Sequence, residues 1–253
     1  MASKIKAVTF DLWDTIVYDD SDEPRRKAKG LRSKYNERRH LMWAALKETG
    51  PELPLETVKL AFDVADAGFN NVWKLHSINW TVGERVDVIL NGLGRSLPAD
   101  VRDKLIDDLG RMEADLPPDL IEGIGEALAD LSTRYKLSIV SDAIVTPGKY
   151  LRDLLEKHDI KKYFQGFSFS DEVGHSKPHR SMFDEAAKQL GVKVEEMVHI
   201  GDRDHNDVKG PHALGMKAIL FTASRDVDKA ITKADAICER HADLPAAIDA
   251  LAG

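Results

Sequence analysis

Cysteine occurs once in the 253-residue chain, at Cys238. A single thiol excludes an internal disulfide and any multi-cysteine zinc site. Free cysteine is usually buried, so Cys238 is expected as a small apolar residue in a strand. No run approaches the ~20 consecutive apolar residues that a membrane-spanning helix needs. The opening MASKIKAVTF lacks the long apolar segment of a secretory signal. A cytoplasmic protein without a membrane partner is the resulting expectation. Positive charge is also in short supply. Lys and Arg number 36 against 43 Asp and Glu, a formal net charge of -7. That is the wrong sign for a general nucleic-acid binder. The remaining composition, 43% hydrophobic and 31% charged, is that of a globular protein able to bury a sizeable core. The length allows one large domain or two modest ones.

Two textures divide the chain. Residues 1–16 and 117–253 alternate short apolar runs (IKAVTFDLW, KLSIVSD, FQGFSFSD, MVHIGD, KAILFT) with amphipathic stretches such as EGIGEALADLSTRY and RSMFDEAAKQLG. Strand candidates that alternate with helical patterns imply a doubly wound α/β core with a parallel sheet covered on both faces. Residues 17–116 are charged and helical in pattern, with no convincing strand. They read as an inserted all-helical domain of about four helices, with Gly50-Pro51 as a stop and Pro117-Pro118 marking the return. In open parallel sheets, ligands bind outside the carboxyl ends of the strands. Asp11, Ser141 and Asp202 close apolar runs and are placed there.

Four stretches carry the candidate chemistry: FDLWDT with Asp11 and Thr15, IVSDA with Ser141 and Asp142, GHSKPHRSMF with Lys177, and GDRDHND with Asp202, Asn206 and Asp207. Each has a plainer reading. Asp11 could cap a turn, Ser141 could form one, Lys177 could be a surface lysine, and Asp202 and Asp207 could begin a helix as capping acids. In their order and context, however, the four together resemble the haloacid dehalogenase-like (HAD) hydrolase superfamily. That superfamily includes phosphatases, dehalogenases and phosphonate-cleaving enzymes. The resemblance covers the core and sets residues 17–116 where its helical C1-type cap belongs.

The resemblance implies Asp11 as a nucleophile that forms an acyl-phosphate, splitting one hard step into two. Nucleophile and substrate are both anionic, so cations must neutralise charge. Lys177 and a divalent Mg²⁺ would do so, with Asp11, Asp202 and the Trp13 backbone carbonyl as oxygen ligands and Asp207 as a direct or water-mediated one. Ser141, with Asp142 beside it, would contact the transferring group. Asn206 would orient Lys177 or a ligand, and Thr15 would support the site from behind. The expected partner is a small anionic substrate; a homodimer is an open arrangement.

Trp13 departs from the phosphatase pattern. In those enzymes an Asp at this position protonates the leaving oxygen and then helps to activate water. Indole can only donate its N–H, and general acid–base help is typically worth ~10²–10⁴ in rate. Asp14 comes one residue late, and neighbouring side chains on an extended segment face opposite ways, so a loop-capping role is expected for it. Dehalogenases carry an aromatic residue at the Trp13 position and work without metal. Phosphonate hydrolases carry a small one and use a Schiff-base lysine, a role that Lys34 or Lys74 would have to fill. The acids of GDRDHND weigh towards a Mg²⁺-dependent phosphatase. A 2-haloacid dehalogenase- or phosphonatase-like hydrolase is the alternative, and a degenerate ligand-binding protein is a third.

The remaining candidates read as structure. His175, His179, His199, His205 and His212 lack metal-ligand spacing and are expected as surface or packing residues. The run from Arg25 to Arg39 is expected as a solvated helix face, with one or two arginines as a fork for an anionic substrate as the alternative. Trp73, His76 and Trp80 read as core of the helical insertion or as pocket wall.

Overall fold

The computed structural model describes residues 5–253. Six parallel strands form one sheet in the order β3-β2-β1-β4-β5-β6. They are β1 Ala7–Phe10, β2 Lys136–Ser141, β3 Gly166–Phe169, β4 Met197–Gly201, β5 Lys217–Phe221 and β6 Ala236–Cys238. All four residues of β1 and all five of β4 are buried, as a sheet covered on both faces requires. One face packs on helices Ile124–Leu131, Gly148–Lys157 and Leu244–Ala252 through Leu128, Leu151, Leu155 and Ile248. The other packs on helix Arg180–Leu190 through Met182, Phe183 and Leu190.

The five apolar runs each supplied a strand. The sixth strand, Ala236–Cys238, is a three-residue edge, too short to register as a run; Cys238 is buried within it. The segment DVKGPHALGM, helix-like in pattern, begins in a wide π-helical turn, Asp204–Lys209, and continues as a short helix, Gly210–Ala213.

The insertion builds its own core. Helices Lys34–Thr49, Leu55–His76, Val82–Gly92 and Ala99–Gly110 bury Met42, Leu46, Phe62, Val86, Ile89, Leu105 and Leu109 against one another. Local chemistry sets their ends. Thr81 and Glu84 form a reciprocal capping box at one start. A short helix, Glu23–Ala28, precedes these four and was not expected.

The cationic run is a solvated face only in part: Lys27, Lys29 and Arg32 are exposed. Arg26, Lys34 and Arg39 are buried. Lys34 Nζ lies 2.9 Å from Asp20, 2.8 Å from Asp22 and 3.1 Å from Glu113. Arg39 stacks 3.4 Å over the Tyr35 ring and pairs with Asp63 and Asp66. Buried cations must be satisfied: acids from other segments pair Lys34 and Arg39, while Arg26 donates to the Arg32 carbonyl at 3.1 Å. No helix among the described residues is long and apolar enough to cross a membrane.

Candidate active site

The topology brings the site together. β1 pairs with both β2 and β4, Phe10 lying opposite Ile139 and Ile200. The chain therefore winds one way from β1 through β2 and β3, then returns to continue on the other side with β4. Such a switch point leaves a crevice at the strand ends. Asp11, Ser141 and Asp202 all reach it, and Asp11 N–H donates to the Ile200 carbonyl at 2.8 Å.

After Asp11 the chain turns sharply. The Leu12 carbonyl accepts from Ile16 N–H at 2.8 Å and Val17 N–H at 3.1 Å. Asp14 takes a left-handed φ of 55°, which Asp tolerates better than most residues. Its carboxylate accepts from Asp19 N–H at 3.4 Å, and it does not line the cavity that contains Asp11. Asp14 thus caps the loop. Thr15 is buried, and its carbonyl bonds to His241 Nε2 at 2.8 Å.

Lys177 is 3% exposed and bridges two acids, Asp11 at 2.9 Å and Asp207 at 2.6 Å. Burial works against its charge, but Asp11 and Asp207 outweigh that and raise its pKa well above the usual lysine range. Asp207 shows the converse. Burial alone would raise its pKa, yet Lys177 and then His199 hold the carboxyl far below the usual range. Behind it, His199 Nε2 lies 3.1 Å from Asp207 Oδ1, and His199 Nδ1 lies 2.8 Å from Thr9 Oγ1. Burial lowers the His199 pKa. A ring that donates Nε2–H to the Asp207 carboxylate leaves Nδ1 facing the Thr9 hydroxyl, which also lies 3.3 Å from the Val198 carbonyl. The Asp207 Oδ2 atom accepts Arg203 N–H at 3.0 Å.

Asp202 is placed differently. It is 1% exposed, and its Oδ2 has no hydrogen-bond partner among the described residues. Arg203 and Arg225 stand off at 3.7 and 4.0 Å, beyond hydrogen-bonding range. Burial first, then the charges of Asp11 and Asp207, push its pKa up to about 8. Oxygen atoms of Asp11, Asp202 and Asp207 lie within 4.8 Å of one another. A cage of hard carboxylate oxygens with one orphaned buried oxygen fits a divalent cation such as Mg²⁺. The Ser141 hydroxyl, buried at the same strand ends, is also unpartnered.

Above these groups lies a cavity of about 280 Å³, lined by Asp11, Trp13, Trp73, Asp142, Lys177 and Arg203. The helical insertion supplies its roof. The Trp73 Nε1–H of helix Leu55–His76 donates to Asp142 Oδ2 at 3.1 Å, while Asp142 Oδ1 accepts Lys177 N–H at 2.9 Å. Burial pushes the Asp142 carboxyl up to about 6 despite the nearby Lys177 charge. The Trp13 indole donates to the Asp142 carbonyl at 3.3 Å. Asn206 lines the cavity, but Lys177 takes its side-chain partners from Asp11 and Asp207.

Several contributors carried no sequence signal. His199 sits inside an apolar run and reads as packing, yet it buttresses Asp207. Asp19, Asp20 and Glu113 also line the cavity, and only folding brings the insertion's two ends together there; Arg38, from the run in which a fork for an anionic substrate was the alternative, lines it too. Trp73 joins the pocket wall, whereas Trp80 packs on Phe69 within the insertion and His76 is exposed. His175 stacks on His179, and His212 pairs with Asp235 at 2.8 Å. Lys34 is held by three carboxylates that keep it strongly protonated, which removes it as a Schiff-base amine. Lys74 lines a neighbouring cavity.

Comparison with known proteins agrees with this arrangement. The chain is 34% identical to glyceraldehyde 3-phosphate phosphatase of Methanopyrus kandleri over 86 residues, 34% of this chain and 37% of that one. The match thus spans little more than a third of that relative's length. Among solved structures, a 2-haloacid dehalogenase of Pseudomonas syringae superposes with a TM-score of 0.66 at 18% identity, covering 98% of this chain and 99% of that one. A HAD phosphatase of Thermococcus onnurineus superposes with a TM-score of 0.65 at 21% identity, covering 96% and 97%. These two likenesses establish the fold. The model of the haloacid dehalogenase-like hydrolases matches residues 5–215, most of the chain, and the protein belongs to that family.

Proposed function

We propose that this protein is a Mg²⁺-dependent phosphohydrolase that acts on small phosphorylated metabolites through a phosphoryl group carried on Asp11. The observation that carries this reading is the buried, unpartnered Oδ2 of Asp202 in a cluster of three carboxylates. Lys177 is the only side-chain cation in hydrogen-bond contact with that cluster among the described residues. Acids packed this closely repel one another and an incoming anion unless a further cation joins them. A metal-independent dehalogenase has no use for that arrangement. The relatives named glyceraldehyde 3-phosphate phosphatase support a small phosphorylated substrate, and the cavity of about 280 Å³ suits one.

Asp11, Asp202 and the Trp13 carbonyl would hold the ion, with Asp207 outside them. Bound Mg²⁺ supplies positive charge against the phosphoryl oxygens and the attacking carboxylate. The chain's own groups do the rest. An Asp11 oxygen attacks phosphorus, and the bond from phosphorus to the leaving oxygen breaks. Lys177 screens the repulsion between the two anions, and its bridge to Asp207 fixes its position. The Ser141 hydroxyl, without a partner among the described residues, donates to a phosphoryl oxygen. Water then attacks the phosphoryl-Asp11 and releases inorganic phosphate. Residues 17–116 serve as the cap, docked through Trp73 on Asp142, and keep bulk water from the acyl-phosphate.

Turnover of a panel of small phosphomonoesters, with Mg²⁺ and with EDTA, tests this. Phosphate release abolished by EDTA and restored by Mg²⁺ is expected. Turnover indifferent to EDTA would overturn it, as would metal-free halide release from 2-haloacids in place of phosphate release.

A further inference from the structure

We infer that Asp19 donates the proton to the leaving oxygen, the task for which Trp13 leaves no group in the usual place. This rests on the phosphohydrolase reading and deepens it. An alkyl phosphate expels a strongly basic alkoxide, so some group above Asp11 must supply a proton as the bond breaks.

The catalytic cavity has five carboxyl groups on its wall: Asp11, Asp19, Asp20, Glu113 and Asp142. Four are already committed. Asp11 is the nucleophile and is paired with Lys177. Asp20 lies 2.9 Å from Lys34 Nζ. Glu113 pairs with Lys34 at 3.1 Å and Arg38 at 3.5 Å, and accepts from the Thr146 hydroxyl. Asp142 accepts one hydrogen bond on each oxygen, from Lys177 N–H and Trp73 Nε1–H. Both donors favour the ionised form of Asp142 and hold its oxygens as acceptors.

Asp19 differs from all four. Its Oδ1 accepts Asp20 N–H at 2.9 Å, and its Oδ2 has no hydrogen-bond partner or paired cation among the described residues. Oδ2 is therefore the oxygen free to carry and deliver a proton.

The surroundings favour the acid form. Asp19 sits on the loop between the β1 turn and helix Glu23–Ala28, at the mouth of the cavity. Asp19 stays exposed to solvent; partial loss of hydration, then the charges of Asp20, Glu113 and Asp14, still push its carboxyl up to about 6 against the opposing charge of Lys34. Arg38 faces the same cavity from the Glu113 side. The displaced acid of FDLWDT also gains a purpose. Asp14 accepts Asp19 N–H at 3.4 Å and so positions the loop that presents Asp19.

The step balances. The bond from phosphorus to the leaving oxygen breaks, and its electron pair stays on that oxygen. The Asp19 Oδ2–H bond breaks, and its proton goes to the leaving oxygen. Asp19 is then a carboxylate. Water then attacks the phosphoryl-Asp11, the bond from phosphorus to Asp11 breaks, and Asp19, exposed at the cavity mouth, regains its proton from solvent.

The test compares wild type, Asp19→Asn and Asp19→Glu on two esters in Mg²⁺. One is 4-nitrophenyl phosphate, whose leaving group is stable as an anion. The other is glycerol 3-phosphate, whose leaving group is not. In Asp19→Asn, kcat on the alkyl ester is expected to fall by about 10²–10⁴-fold, with roughly no change on the aryl ester. Wild-type kcat on the alkyl ester is expected to decline as pH rises through about 6, because the donor must hold its proton. That limb should vanish in Asp19→Asn and return in Asp19→Glu. Equal losses on both esters with no change in the pH profile would overturn the assignment, as would an unchanged alkyl rate. Wild type that cleaves neither ester would refute the phosphohydrolase reading itself, an outcome distinct from the variant-specific ones.

Discussion

Replacing Lys177 with Met removes a charge and keeps nearly the same volume. Lys177 is 3% exposed and touches Asp11 at 2.9 Å and Asp207 at 2.6 Å. Its loss leaves two buried carboxylates without their cation. Breaking a buried pair in this way costs about 3–5 kcal/mol. For a protein of this size that corresponds to a fall in Tm on the order of 10 °C. The pH dependence sharpens the test. Lys177 holds the Asp207 carboxyl far below its ordinary value of 3.8. A depressed carboxyl stabilises the fold at pH values above that of the unfolded chain, and the benefit is lost as pH falls through the folded value. The gap between wild type and Lys177→Met is therefore expected to be full at neutral pH and to shrink below about pH 4. Urea unfolding at pH 7 and pH 3.5, with equal m-values, would measure it. A loss under about 1 kcal/mol at pH 7, or a gap independent of pH, would refute the charge-clamp account of this lysine.

Other variants probe the rest of the site. Asp202 has a folded pKa raised from 3.8 to about 8, so keeping it ionised opposes folding increasingly as pH rises between those values. Metal-free Asp202→Asn is expected to gain stability over wild type across that window. It should also lose the Mg²⁺-induced stabilisation, which for wild type reaches about 2.7 kcal/mol at a hundredfold excess over Kd. The Ser141 hydroxyl is buried without a partner, so Ser141→Ala is expected to match or exceed wild type by up to about 1 kcal/mol in urea unfolding. The same variant should show weaker competitive inhibition by inorganic phosphate. Trp13→Asp in the Asp19→Asn background is expected to restore at least about tenfold in alkyl-ester kcat, because it returns a proton donor to the position where the family keeps one.

The core was legible because its physics is local. Parallel strands buried on both faces must be apolar throughout, so β1, β2, β3, β4 and β5 announced themselves as runs, and the polar residues that closed them fell at the crevice. β6 escaped because three edge residues give no pattern. What the sequence hid is long-range pairing. Lys34 is buried because Glu113, 79 residues away, meets it in space, and Arg39 is buried by Asp63, 24 residues away. A charge run by itself carries no mark of either partner. His199 was hidden for a related reason. A polar residue within a buried strand reads as packing until the neighbouring strand shows Thr9 on one side and the wide turn shows Asp207 on the other. Asp14 stays out of the cavity as expected, but for another reason: the chain is not extended there but turns, with a left-handed φ of 55°, and the loop that it braces could only be seen folded.

The central claim is that Asp11 and Asp202 form an oxygen cage for a divalent cation beside the attacking carboxylate. Crystals grown with millimolar Mg²⁺ and beryllofluoride, a phosphoryl mimic, test it directly. The expected density shows beryllofluoride on an Asp11 oxygen, with a cation held by Asp11, Asp202 and the Trp13 carbonyl. A cage without a cation, with the Asp202 side chain turned away from Asp11, would contradict it.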